Sequence, residues 1–149
     1  MEIEKEIKQD KFKSEYHKLI LNILVTNNWL NEKIIARLKA FNLTPKQFNV
    51  LRILRGQQSE PIKVNEIRQR MIDKMSDVSR IVERLRLKGL VKRETCENNR
   101  RAVDVVITRR GLSLLKKIDA LDEEWERNFS NLSKQQAAQL NHLLNTLRS

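Results

Sequence analysis

Glycine, proline, histidine and cysteine are scarce in this chain: three, two, two and one among 149 residues. The three glycines, Gly56, Gly89 and Gly111, lie far apart, which excludes a glycine-rich loop that cradles phosphate. His17 and His142 are separated by most of the chain and Cys96 stands alone, so no structural zinc site of the usual Cys/His spacing can be assembled. A single cysteine also excludes an internal disulfide and suits a reducing cytoplasm. Long apolar runs are missing too. LILNILV, residues 19–25, is interrupted by Asn22 and followed by Thr26, far short of the roughly 18 apolar residues of a membrane span. The opening MEIEKEIKQDK is charged and lacks the apolar stretch of a signal peptide. No nucleophile elbow and no pair of acids in a catalytic arrangement is visible. These absences predict a cytoplasmic protein that is no enzyme, needs no cofactor and has no segment in the membrane.

What is abundant is positive charge. Thirty Lys+Arg stand against nineteen Asp+Glu, a formal net charge of +11. The excess is uneven: residues 61–110 hold 14 basic and seven acidic side chains, whereas residues 111–149 hold five of each. A basic middle in a chain about the size of one domain points to a polyanionic partner, either nucleic acid or an anionic membrane face. The plainer alternative is a solubilising surface. An apolar content of 40% is enough for a packed core.

Most of the chain has helical periodicity. From about Ile7 to Leu38, Phe12, Tyr16, Leu19, Ile23, Leu30 and Ile34 recur at helical spacing, and the length predicts either a bend near Thr26-Asn27-Asn28 or a helix that lies along a partner. In LTPKQFNVLRILRG, Thr44 is a good N-cap, Pro45 suits the first helical position and Gly56 can end the helix. PIKV can form one edge strand, and Asn65 can cap a brief helix over EIRQRMI. A second helix is expected across KMSDVSRIVERLRLKG, starting near Asp73 or Lys74 and stopping at Gly89, with Val78, Ile81, Val82 and Leu85 as its buried stripe. Thr108 should cap one long helix through Leu112, Leu121 and Phe129, and Ser133 a last one through Leu147.

One stretch breaks this rhythm. In ETCENNRRAVDVVIT, residues 94–108, Val103, Val105 and Ile107 alternate with Asp104, Val106 and Thr108, the period of a strand. LVKRET and AVDVVIT thus predict a hairpin around Asn98-Asn99, with Arg100 and Arg101 near its tip. Two short helices joined tightly, the second polar and basic on its open face, form a helix-turn-helix pattern whose second helix fits the DNA major groove. A hairpin beside them reaches the adjacent minor groove, where negative potential attracts guanidinium groups. The competing reading is a hairpin whose arginines merely pair with nearby carboxylates.

The runs LTPKQFNVLRIL, PIKVNEIRQRM, VSRIVERLRLKGLVKR and NNRRAVDVVITRRGLSLL resemble the MarR family of bacterial winged-helix transcription regulators over residues 43–115. The resemblance implies a mainly α fold with a small β-wing: a winged helix-turn-helix at residues 43–110 between dimerisation helices at 1–42 and 111–149. It implies a homodimer on double-stranded DNA at a pseudo-palindromic operator, acting as a repressor released by a small-molecule effector or by oxidation. Two departures stand out: Asn99 takes the place of an acidic residue ahead of the wing arginines, and Lys74 and Met75 replace commoner small polar residues.

By position, Lys74, Met75, Ser76, Ser79 and Arg80 are expected at base edges or flanking phosphates, with Arg84 one turn on at the backbone, and Arg100 and Arg101 in the wing. Asp77 can accept from cytosine or offset Lys74 or Arg80. Asn65 can aim backbone N–H groups at a phosphate or simply cap its helix. Phe12, Tyr16, His17, Trp29 and Phe41 can line an effector cavity or belong to the core. Cys96 has Glu94 and Glu97 beside it in sequence, which do nothing to favour a thiolate, so a redox role is not expected. Two rivals use the same residues: a non-specific architectural DNA-binding protein, and an interaction module that has lost DNA binding.

Overall fold

The computed structural model describes residues 1–57, 60–96 and 99–149, and from 95 to 103 the backbone alone. Among the described residues eight helices and three strands follow one another: α1 (Ile3–Glu6), α2 (Glu15–Lys39), α3 (Pro45–Gly56), β1 (Ile62–Lys63), α4 (Val64–Arg70), α5 (Val78–Leu87), β2 (Val91–Cys96), β3 (Asn99–Ile107), α6 (Arg109–Asp119), α7 (Asp122–Glu126) and α8 (Lys134–Leu147). A 3-10 turn, Arg127–Phe129, follows α7. No described helix is long and apolar enough to cross a membrane.

The core belongs to the middle of the chain. Leu51 and Leu54 of α3, Ile67 of α4, Val82 and Leu85 of α5 and Leu115 of α6 are all essentially inaccessible. The sheet closes one side in the order β1-β3-β2, all antiparallel, with Ile62 opposite Val105 and Val91 opposite Ile107. The alternation seen in the sequence has its expected cause: Val105 and Ile107 face the core.

The terminal helices are different. Among the 25 residues of α2 only Leu38 is buried, and α8 buries none. Both carry apolar rows open to solvent, including Ile20 and Leu24 on α2 and Leu140 and Leu143 on α8.

Local chemistry explains most boundaries. Thr44 accepts from the Gln47 N–H while the Gln47 side chain accepts from the Thr44 N–H, a complete capping box with Pro45 at the first turn. Ser133 and Gln136 repeat the device on α8. After α5, Gly89 takes φ +74°, the Gly89 N–H donates to Arg86 O at 2.9 Å and the Leu90 N–H to Leu85 O at 3.0 Å, a two-bond C-terminal cap built on a left-handed residue.

Two expectations about continuity fail. Of the two alternatives for the first long segment, the break at Thr26-Asn27-Asn28 does not occur: α2 is continuous there, those side chains are exposed, and no glycine or proline interrupts residues 15–39. The break falls earlier, where Lys8 adopts φ 54° and Ser14 starts α2 afresh by accepting from the His17 N–H. The helix foreseen from Thr108 to Phe129 is segmented. Arg37 of α2 donates to the Ile118 carbonyl at 3.2 Å and to the Asp122 carboxylate, and Arg55 of α3 donates to Asp119 at 2.6 Å. These cations satisfy and stabilise a helix C-terminus, so α6 stops at Asp119.

Candidate nucleic-acid interface

The connection between α4 and α5 decides which side chains the second helix presents. The Ile72 N–H donates to Asn49 Oδ1 on α3 at 2.9 Å, and the Met75 N–H donates to Asp73 Oδ1 at 2.9 Å. That bond, helped by Lys46 at 3.2 Å, holds the Asp73 carboxyl below its ordinary pKa. Asp77 then caps α5, accepting from the Arg80 N–H at 3.2 Å with the Arg80 guanidinium 3.8 Å away. Asp77 is thereby accounted for as a cap and an ion-pair partner.

α5 therefore begins at Val78 and not near Asp73 or Lys74, because Asp73 and Asp77 each bind a backbone N–H and hold residues 73–77 in turns. Lys74, Met75 and Ser76 precede the helix and are not on its first turn. Lys74 donates to the Gln69 carbonyl. Met75 is 92% exposed and Ile72 is 86% exposed, so two apolar side chains project from this connection. Ser76 goes the other way: it is 4% exposed and its hydroxyl has no partner among the described residues. The chain has to turn inward there to bury Val78, so Ser76 is withdrawn from any surface contact, contrary to expectation. Ser76→Ala should leave stability within about 1 kcal/mol of wild type, because no made hydrogen bond is lost. Thermal unfolding and DNA affinity both check it, and a large loss in either would show that the hydroxyl is used.

On α5 itself the expected division holds except at Ile81, which is half-buried against the core. Val78, Val82 and Leu85 are buried, and Ser79, Arg80 and Arg84 are exposed on the opposite side. Asn65 does not cap α4: Lys63 occupies that position, α4 starts at Val64, and Asn65 lies exposed in its first turn. The hairpin forms with a register change from Thr95↔Val103 to Cys96↔Asn99, so the backbones of Arg100 and Arg101 lie within β3. Their side chains, like that of Cys96, fall outside the described residues, as do Glu97 and Asn98 entirely.

The sequence reading missed a charge cluster that joins helix to hairpin. Glu83 Oε1 accepts from Arg86 Nη2 at 2.7 Å, and Glu83 Oε2 accepts from Arg86 Nε at 3.0 Å and from Arg93 Nη1 at 2.8 Å. The bonds from Arg86, then the one from Arg93, hold the Glu83 pKa down at about 2. The Glu83/Arg86 spacing of three residues was legible as a helical pair; the Arg93 contact needs the turn at Gly89 and was not.

The aromatic set proposed for an effector does not converge. Tyr16 is 78% exposed, His17 stands edge-on to Phe12 and accepts from the Lys13 N–H, and Trp29 packs on Phe129. Phe41 borders a separate cavity of about 350 Å³ with Leu90 and Leu114. Helical spacing places residues on one face of a helix, but Tyr16 and Trp29 are more than three turns apart on α2. A cleft of about 510 Å³ lies between α2, α3 and α7, walled by Phe48, Trp125 and Phe129, with the Arg37 guanidinium 4.8 Å over the Trp125 ring.

This arrangement can be set beside known proteins. The sequence model of the MarR family matches residues 43–103, the lobe that carries α3 to the wing. Over this lobe the chain is similar to the MarR family. A curated relative, the HTH-type transcriptional repressor IacR of Pseudomonas putida, is 30% identical over 108 residues, which cover 72% of this chain and 64% of that protein. The match thus spans slightly less than two thirds of the relative's length. Among solved structures, a MarR transcription factor from Planctomyces limnophilus aligns with a TM-score of 0.70 and 28% identity over 91% of this chain and 99% of that one. A mutant MarR from E. coli, crystallised with operator DNA, aligns at TM-score 0.79 and 24% identity over 93% and 99% of the two chains. The family model ends at residue 103, while the fold likeness to E. coli MarR covers 93% of this chain.

Proposed function

We propose that this chain is a sequence-specific DNA-binding transcriptional repressor that works as a homodimer in the cytoplasm and is released by a small ligand. The observation that carries the reading is the two-sided α5: an apolar stripe locked in the core, and Ser79, Arg80 and Arg84 presented outward beside a basic hairpin. An α-helix of this kind fits the major groove, with short hydroxyls near base edges and guanidinium groups at phosphates. The repressor relative and the operator complex of E. coli MarR support it. Residues 43–110 form the DNA-binding lobe, and residues 1–42 and 111–149 supply the dimer. The dimer presents two recognition helices, which read half-sites about 10 base pairs apart. The cleft beneath Trp125 and Phe129, next to the DNA-binding lobe, is the place for the effector. Within the interface Ser79 and Met75 face bases, Arg80, Arg84 and Lys74 take flanking phosphates, Asn65 stands at the start of α4 beside a phosphate, and Arg100 and Arg101 enter the minor groove.

The test separates base reading from charge. Replacing Ser79 with a bulky residue should lower operator affinity by roughly 10-fold or more while random-duplex affinity barely moves, because a base contact is typically worth about 1–3 kcal/mol of discrimination. Arg84→Ala should lower both affinities by similar factors, since a phosphate contact carries little sequence information. The measurement is the operator-to-random affinity ratio at one salt concentration, with the operator recovered by selecting bound genomic fragments. A wild-type ratio near one would replace this reading with a non-specific architectural protein.

A further inference from the structure

We propose that Glu83 is a positioning residue: it fastens the first strand of the wing to the recognition helix, so that helix and wing meet DNA as one body. The inference rests on the DNA-binding reading and adds to it a residue that does not itself need to touch DNA.

The geometry has three parts. Arg86 sits one turn along α5 and grips Glu83 with two parallel bonds, Nε to Oε2 and Nη2 to Oε1. This fork fixes the plane of the carboxylate. A second bond to Oε2 comes from Arg93, which lies on β2, beyond the turn at Gly89. On β2 the buried packing ends at Val91; Lys92, Arg93 and Glu94 are all exposed. The Arg93–Glu83 bond therefore holds the strand past the point where apolar contacts hold it. The carboxylate is also an acid on an outward face that otherwise carries Arg80 and Arg84, where a negative charge opposes phosphate binding. A mechanical role accounts for an acid in that place.

Two explanations make different predictions. If Glu83 only neutralises charge, Glu83→Ala frees two arginines, raises affinity for every duplex alike and steepens the salt dependence, while Arg93→Ala lowers affinity for every duplex alike. If Glu83 is a brace, each single variant lets the wing move independently of the helix. The operator-to-random ratio then falls in both, and the double variant falls no further than the worse single one.

The experiment uses the full chain. Amide hydrogen exchange of residues 91–94 and 104–107 is measured without DNA for wild type, Glu83→Ala, Arg93→Ala and the double variant. Affinities for the selected operator and for scrambled duplex are then measured at fixed salt. Expected are roughly two- to fivefold faster exchange and a two- to fivefold lower ratio in each single variant, the range of one exposed ion pair, with unchanged melting temperature. Unchanged exchange in either single variant overturns the brace. So does faster exchange with a ratio equal to wild type. If wild type itself shows no preference for the operator, the repressor reading falls, and the exchange measurements still decide whether Glu83 holds the strand.

Discussion

Gly111→Ala should destabilise the fold by about 3 kcal/mol or more, a larger effect than any surface substitution in the interface. A Cβ on Gly111 would stand 2.4 Å from the Leu90 carbonyl oxygen and 2.6 Å from Ile107 Cγ1. Neither neighbour can retreat. The Leu90 carbonyl accepts from the Thr108 N–H at 3.0 Å, and Ile107 is buried in the sheet opposite Val91. The Thr108 hydroxyl donates to Gly89 O at 2.7 Å and accepts from the Gly111 N–H at 3.1 Å. The end of the recognition helix, the root of the wing and the start of α6 thus meet at one point, and only a residue without a side chain lets them. Thermal unfolding should show a fall in Tm of roughly 10 °C, from the usual two to four degrees per kcal/mol for a domain of this size. DNA affinity at low temperature should fall as well, because the knot sets the angle between α5 and the wing. A Tm within a degree or two of wild type would show that α6 can shift away from Leu90 at little cost.

Leu143→Asp combined with Ile20→Asp should leave the winged-helix lobe folded and convert the protein to a monomer. In the single chain these side chains are 63% and 56% exposed, so their replacement removes no intrachain core contact. In a dimer closed by α2 and α8 they would be covered, and burying two carboxylates per subunit without partners costs several kcal/mol. Apolar rows on α2 and α8, helices that bury one residue and none within the chain, are the reason to expect that cover. Light scattering should report one chain instead of two at micromolar concentration. Operator affinity should fall by roughly 10²- to 10⁴-fold, the advantage lost when two linked half-site contacts become independent. Wild type that scatters as a monomer while binding its operator with full affinity would sink the dimer. A variant that stays dimeric would place the interface elsewhere.

Several features could be read from residues alone because their causes are local. Thr44, Thr108 and Ser133 cap the helices they were expected to cap, each bonding an N–H three residues on, and Gly89 ends α5 with a positive φ. The alternation of Val105 and Ile107 specified a strand with one buried face, and the period of Val78, Val82 and Leu85 specified which side of α5 turns inward. With the basic middle of the chain, these were enough for a winged helix with an outward polar helix face.

What the residues could not decide by themselves were the places where two sequence-distant groups compete for one backbone or one direction. An uninterrupted helical pattern ran past Ile118, and only the arrival of Arg37 and Arg55 from α2 and α3 ends α6 there. Ser76 and Met75 are adjacent and both lay in the expected reading surface. The bonds from Met75 to Asp73 and from Ile72 to Asn49 fix a turn that buries the first and exposes the second. Tyr16 and Trp29 share a helix yet reach different surroundings, and the residues that do wall a cleft, Phe48, Trp125 and Phe129, come from segments 77 positions apart at their nearest. The Glu83–Arg93 bond exists because the turn at Gly89 folds β2 back along α5. Periodicity and capping act over three or four residues and are written in the sequence. Side-chain direction in a turn, the end of a helix at a distant cation and the walls of a cleft depend on which surfaces the packed core brings together, and that only the tertiary structure decides.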